Sequence, residues 1–537
     1  MFDFLKRQPV SQSVRSEPSV QSEPSATFVE AATSIPAVSR RQFRQRSFRG
    51  TRQHDAANTD RMTSNWTRTP LSADQVVDRN QRILVARSRE QSDSNDYLKS
   101  YLRICEQNVV GPRGFSLQAQ ARDAAGNLDR DANEAIETWW RNWCRAENCD
   151  IKGRRSFRLL CKSAIRTAAK DGEFMFREII GRAAGPSGYS LQTIDPQRCP
   201  VDYNIERLSG GRFIRQGIEF SREGRALAFF FMTDDPSMSG YTFNGRSVER
   251  VPAAQIIHGF LDEMEGQRRG LPWAATSLWR LHMLAGFEKA SLSKATTSAA
   301  LGGFIEWADG SGPEPDEENE DEELYIEAEG GVYQELPPGA SAKNFETQYP
   351  SGEFATFHKA MLRGAGAGMG VSYVALANDL EGVNFSSIRQ GVLSERDNWM
   401  DLQEWTIETL VDRVFSGALK AALLRGQVKV KARALRPENI GQYLKVFWQG
   451  RRWAWVDPTK DVKAEVDAKN NLLTSPSEII RRRGDDPDTT WRTYASDIKL
   501  MQDAGMPEAF IMASVLGVQP SAAPPPKLND EEDSPDE

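Results

Sequence analysis

Four glycines at alternate positions, Gly364, Gly366, Gly368 and Gly370, follow directly on an apolar helical pattern of Phe354, Phe357, Met361 and Leu362. No other stretch restricts the fold as much, because a run of this kind serves only sharp bending or close backbone approach. The spacing predicts a helix that ends in a packed bend. A second helix is expected from about Ser386, with Ile388, Val392, Trp399, Leu402 and Trp405 on one side. Between them lies a short polar loop, roughly 378–384, tethered at both ends. A nucleotide-binding reading fails on chemistry. A phosphate loop needs a strand before it and a Lys followed by Ser or Thr after it, and here a helix precedes and Val371-Ser372 follows.

Upstream, helical patterns cover Val76–Ala86, Asp96–Val109, Ala132–Arg145 and Phe157–Lys170. Trp139, Trp140 and Trp143 on the third read as core packing rather than a base-stacking platform. The period then shortens, and GEFMFREII, YSLQTI, RQGIEF, LAFFFM and AQIIHGF read as strands separated by turn residues. Asp171, Glu173 and Glu178 among them form a candidate acidic cluster for two-metal nuclease chemistry, set against the ordinary placement of carboxylates at strand ends. No further ligands fall at useful spacing, the four histidines are scattered, and only Cys144 and Cys149 stand close together. No metal site and no catalytic group is therefore assigned.

A long helix opened by proline is expected over Pro272–Ala300, with Trp273, Leu278, Leu281, Leu284 and Phe287 in its first half and small residues in its second. The chain between this helix and the glycine-ended one is an excursion. FIEW and ELYIEAEGGVYQEL look like strands, and EPDEENEDEE between them carries eight carboxylates in ten residues. Such a block repels itself and stays solvated, as a loop tip or as a docking surface for a basic partner. Downstream, the helix from Ser386 is expected to run to about residue 424, followed by a strand, VKVKARAL, and a segment containing Trp448, Trp453 and Trp455. Helices at Pro458–Asn471, Pro476–Arg482 and about Pro487–Ala504 come next.

The charge of −7 disfavours static DNA binding, which depends on cations neutralising several phosphates. Residues 1–55 are expected to form a disordered arm that closes on Arg40, Arg41, Arg44, Arg46, Arg49 and Arg52, and the tail from Pro520 an acidic disordered end. No run of about 18 apolar residues suggests a membrane span, and the first ten residues lack a signal-peptide core, so a cytoplasmic setting with reduced thiols is expected.

The order of parts resembles the lambda-family phage portal proteins. The likeness rests on DGEFMF (171–176), LQTIDPQR (191–198), IIHGF with EGQRRGLPWAATSL (256–278), GAGMGVSYVALA before NFSSIRQGVLSER, WVDPTKDVKAEVDAKNNLLTSPSEI, and RRGDDPDTTWRTYASD. It spans about residues 60–505. What the resemblance implies is an α+β portal fold assembled as a ring, normally a dodecamer, at one capsid vertex, with no cofactor and no catalysis. Its parts would be an arm (1–55), a wing (56–270), a first stem helix (271–300), a clip (301–352), a second stem helix (353–370), a channel loop with a long helix and the rest of the wing (371–465), a crown (466–515) and a tail (516–537).

Within that fold Asn378, Asp379, Glu381 and Asn384 would form the channel loop, and Lys289, Lys294, Lys359 and Arg363 are candidates to face DNA from the stem. Arg389 and Arg396 would pair between subunits. The clip carboxylates Glu314, Asp316, Glu317, Glu318, Glu320, Asp321, Glu322 and Glu323 would form the docking surface. The implied partners are double-stranded DNA in transit, the terminase large subunit, head-completion or adaptor proteins, and major capsid and scaffold proteins, with no membrane. The protein would assemble in the host cytoplasm and end in the virion. Two other classes share parts of the pattern: a metal-dependent DNA-processing enzyme and a monomeric scaffold or adaptor. Geometry agrees with a ring, since twelve helices at about 10 Å spacing leave a bore of about 28 Å. Twelve copies would carry about twelve times −7, or −84, and offer moving DNA few sticky sites.

Overall fold

The computed structural model describes residue 61 and residues 67–123, 125–233, 243, 245, 247–300, 304–307, 340–343, 353–381, 385–453 and 458–511. Contacts divide the chain into Met1–Pro70 and Leu71–Glu537, and every described helix and strand belongs to the second unit. The basic arm, ELYIEAEGGVYQEL, the acidic block, Trp455 and the tail from Pro520 lie outside the described residues.

The first helices arise where the periodicity places them. Helix α1 (Ala73–Ser94) opens on a reciprocal cap between Ser72 and Gln75 and buries Val77 and Val85. Helix α2 (Asp96–Cys105) continues into a turn of π-helix, Glu106–Val110. Strand β1 (Ser116–Ala119), α3 (Arg130–Trp143) and α4 (Phe157–Asp171) follow. Trp140 is the hub of this core. Its ring stacks on Trp143 at 4.9 Å and meets Phe157, Phe415 and Trp448 edge-on at 5.3 to 5.8 Å, while Trp139 packs at the margin. The reading of these tryptophans as core therefore holds.

Seven antiparallel strands form the described β-rich part. Strands β2 (Glu173–Ile180) and β3 (Tyr189–Ile194) are followed by β4 (Phe213–Arg215), β5 (Ile218–Phe220), β6 (Ala226–Met232), β7 (Val248–Pro252) and β8 (Ile256–Phe260). They make one sheet in the order β3-β2-β8 and another in the order β4-β5-β6-β7, and β1 pairs far along the chain with β13 (Val446–Gln449). RQGIEF is not one strand but the two arms of a hairpin turning at Gln216 and Gly217, both at positive φ. A second core of Met175, Ile218, Phe229, Phe231 and Val251 lies between the two sheets.

Helix α5 (Ala275–Ala300) begins three residues after Pro272 rather than on it. After it come β9 (Phe304–Trp307) and β10 (Ala340–Lys343), antiparallel partners, then α6 (Glu353–Met369), the short α7 (Tyr373–Ala377) and α8 (Phe385–Thr406). A π-turn at Ile407–Val411 carries α8 into α9 (Asp412–Leu424), so the helix expected over 385–424 is present with one register shift. VKVKARAL is a hairpin of β11 (Lys429–Val430) and β12 (Arg433–Ala434) instead of a strand. Helices α10 (Pro458–Asn470), α11 (Pro476–Arg483) and α12 (Pro487–Asp503) close the described chain, near their expected bounds.

The glycine run departs most from expectation. Gly364, Gly366 and Gly368 lie inside α6, and only Gly370, at φ +68°, turns the chain. Close approach, not bending, explains the other three. A Cβ on Gly368 would sit 2.5 Å from Ser277 Oγ, one on Gly366 would sit 2.9 Å from the Val371 carbonyl, and one on Gly364 would overlap the Arg280 guanidinium.

Candidate functional site

Helices α5 and α6 form an antiparallel pair, and the contacts that hold it run along its length. The Ser277 hydroxyl donates to the Ala365 carbonyl at 2.9 Å and the Thr276 hydroxyl to that of Gly368 at 3.2 Å, both contacts made possible by the missing side chains of α6. Further along, Phe287 stacks on Phe354 with ring centres 5.5 Å apart and meets Phe357 edge-on at 5.2 Å. His358 Nε2 lies 2.6 Å from Glu288 Oε1 and 3.2 Å from the Tyr97 hydroxyl, so α5, α6 and α2 share one polar joint.

The segment after α6 is tied back onto it. Ser372 caps α7 by accepting from the Ala375 N–H, and Asn378 ends that helix in the left-handed conformation, at φ 53°. Asp379 is the centre of the tether. Its carboxylate accepts from the Tyr373 hydroxyl at 2.6 Å and from the Glu381 N–H at 2.9 Å, and Lys359 Nζ lies 3.3 Å from both Asp379 and Glu381. These bonds to Tyr373 and the Glu381 backbone, with Lys359 adding to them, pull the Asp379 carboxyl down to about 2. The same pairing raises the Lys359 ammonium, while partial burial and then Asp379 raise Tyr373. Arg363, one turn along α6, lies over the Tyr373 ring at 5.5 Å.

Of the sequence candidates, the structure therefore brings together Asn378, Asp379, Glu381, Lys359 and Arg363. Lys289 and Lys294 stand exposed on α5. Arg396 on α8 lies over the Trp453 ring at 5.8 Å, with Arg451 at the same distance from that ring. Asn384, the side chain of Arg389 and the acidic residues from Glu314 to Glu323 lie outside the described residues. Tyr373, the second anchor of the loop, was not singled out. Only its position six residues before Asp379 in a short capped helix could have flagged it.

The acidic cluster of the β-rich part is taken apart by the structure. Arg89 clamps Asp171 at 2.7 Å, Arg413 holds Glu178 at 2.8 Å, and Glu173 is buried against Arg269 at 2.6 Å and His258 at 2.8 Å. Each carboxylate faces its own cation, so the three do not converge on a common point. Among the described residues no helix is long and apolar enough to cross a membrane.

The described residues thus make an α+β subunit with an antiparallel helix pair, a β excursion between the two helices and a loop lashed to the returning one. Residues 59–403 match the model of the family "Phage portal protein, lambda family", and the chain belongs to that family. It is 32% identical over 466 residues to a probable portal protein of Halomonas phage phiHAP-1, covering 86% of this chain and 89% of that one. It is 21% identical over 462 residues to portal protein B of Escherichia phage lambda, covering 80% and 86%. Among solved structures, the neck of a native GTA particle aligns with a TM-score of 0.42 and 13% identity over 76% of this chain and 94% of that one. The family gives the function: a portal channel for packaging phage DNA.

Proposed function

We propose that twelve copies of the chain close into a ring at one capsid vertex, with α5 and α6 as the wall of the bore and 378–384 as the loop nearest the duplex. The tether of Asp379 and Glu381 to Lys359 carries this reading, because a loop that meets moving DNA must be held by the wall and not drift into the passage. The α5 helix of 26 residues is about 39 Å long, enough for a tube and not a diaphragm. On this reading the residues around the pair, 56–270 and 371–465, are the wing that meets major capsid and scaffold proteins, and 466–515 are the crown.

The excursion 301–352 is the clip, and its acidic block docks the terminase large subunit and later the head-completion or adaptor proteins. Assembly takes place in the host cytoplasm and the finished ring stays in the virion. No step of covalent chemistry is assigned to the chain. Lys289, Lys294 and Arg363 remain the stem cations directed to DNA, whereas the charge of Lys359 is balanced by the loop itself. Arg389 and Arg396 are assigned to contacts between subunits.

Native mass measurement with negative-stain imaging tests the ring. Annular particles of twelve chains are expected, and a folded chain that stays near 60 kDa at all concentrations refutes it. Deleting residues 314–323 should leave rings intact and weaken terminase docking. Unchanged docking removes the clip assignment.

A further inference from the structure

A cavity of about 400 Å³ opens where the loop before β1 meets α3 and the start of α4. Its floor is apolar: Trp140 and Phe157, 3% and 5% exposed, line it together with the half-buried Cys144. Its rim is basic. Arg113, Arg141, Arg145 and Arg158 stand around it against one carboxylate, Glu137, which is already bonded to the Ala119 N–H at 2.9 Å. Among the described residues Arg145 and Arg158 form no ion pair, and Arg113 reaches only Asp485, at 3.5 Å with both side chains exposed. An apolar floor under four guanidiniums fits a ligand that carries an apolar group beside several carboxylates.

The chain itself holds such a segment. After Val518 the one large apolar side chain is Leu528, and Asp530, Glu531, Glu532, Asp533, Asp536 and Glu537 put six carboxylates in the eight positions that follow Asn529. Helix α12 brings the chain to the right place. With Arg113, its Tyr494 and Asp497 line the groove next to the cavity, and its Arg492 pairs with Glu134 of α3 at 3.2 Å. From Ile511, the last described residue, to Leu528 the chain advances 528 minus 511, or 17, residues, about 55 Å when extended, which is ample for a cavity that α12 itself skirts. The acidic block 314–323 leaves instead from β9 and β10, neither of which lines this cavity.

We infer that this cavity binds the acidic segment 528–537 of the chain, with Leu528 on the Trp140–Phe157 floor and the carboxylates that follow it against Arg113, Arg145 and Arg158. The contact is a strap that ties the chain beyond α12 to α3 and α4, and it does not depend on how many copies assemble. Each exposed ion pair in it is weak, so tethering supplies the rest. A segment on a short linker meets its site at about 1 mM effective concentration, and a contact of about 0.1 mM affinity is then closed about ten times as often as it is open.

Cys144 reports on the site, because it lines the cavity while the other four thiols are buried. Alkylation of the full chain, located by mass spectrometry, should modify Cys144 slowly, and about tenfold faster once residues 528–537 are deleted. The same gain is expected in about 1 M salt, where the Debye length falls to about 3 Å. In a chain carrying Arg113→Glu with Arg145→Glu, both at exposed positions, the deletion should change the rate no further. A peptide of residues 524–537 added to the truncated chain should restore the protection, and the same peptide with its six carboxylates replaced by amides should not. A Cys144 rate within twofold of wild type after the deletion overturns the proposal, and so does a tenfold gain on deletion in the doubly substituted chain. Protection restored equally by the amide peptide, by a peptide of residues 312–325 or by a DNA duplex overturns it as well, the last two by giving the cavity to the acidic block or to nucleic acid.

Discussion

The junction between the β-rich part and α5 is held by one buried ion pair, and breaking it should be costly in a calculable way. Arg269 and Glu173 are both shut off from solvent. The guanidinium donates to Glu173 through Nε at 2.9 Å and Nη2 at 2.6 Å, and to the carbonyls of Cys199, Gln216 and Pro196 at 2.8 to 3.0 Å. Glu173 also accepts from the Gly270 N–H at 3.2 Å and is bonded to His258. Burial alone would raise its carboxyl, but Arg269 and His258 override that and hold it at about 2. Glu173→Gln leaves a guanidinium buried without its counter-charge, a loss of about 3–5 kcal/mol. Linkage gives a second estimate. A carboxyl moved from 4.5 to about 2 contributes about 3 kcal/mol. Since the folded value is the lower one, this contribution is present above about pH 4.5 and is lost as pH falls through about 2. Urea unfolding of the unassembled chain at pH 7 and at pH 3 measures both. The wild-type advantage over Glu173→Gln should be about 3 kcal/mol at pH 7 and shrink toward pH 3, and Glu173→Gln with Arg269→Met should lose less than the two single changes summed. An advantage below about 1 kcal/mol, or one that does not change with pH, refutes the reasoning.

The same junction brings two backbones into contact: a Cβ on Gly270 would lie 2.0 Å from the Gly172 carbonyl oxygen, so Gly270→Ala should cost a few kcal/mol and lower the yield of closed rings. Wild-type melting temperature in that variant contradicts the packing. Asp379→Asn should release the loop from α6, seen as faster hydrogen exchange over 373–381 with unchanged global melting. It should reduce DNA packaging with rings intact. Because Asp379 is held at about 2, acid should not open the tether until pH approaches that value, whereas high salt should loosen so exposed a pair. Loss of assembly, or exchange identical to wild type, counts against the loop assignment.

What could be read in the sequence was what local pattern encodes. The amphipathic helices of the first hundred residues of the fold and of α8–α9 appear close to where their apolar spacing puts them, and the tryptophans of α3 proved to be core. Hairpins without the usual turn residues escaped. Lys431 and Ala432 turn VKVKARAL at φ 46° and 73°, where nothing in the residue types announces a left-handed conformation. The glycines of α6 were misplaced for the opposite reason, since their role depends on Ser277 and Arg280, more than eighty residues away, which a local reading weighs as helix breakers. The carboxylates show the same limit in electrostatic form. Spacing alone supports no metal-site assignment for Asp171, Glu173 and Glu178 but cannot say what balances them; in the fold they are three separate ion pairs, with Arg89, Arg269 and Arg413. Lys359 is the instructive case for function. Read alone, it is a cation offered to DNA; in the fold it is matched by Asp379 and Glu381, so the loop anchor presents little net positive charge to a passing phosphate backbone. On the proposed ring a conduit needs both firmness and low adhesion, and this ion cluster would provide the two together, which is why neutralising Asp379 should be felt in packaging before it is felt in stability.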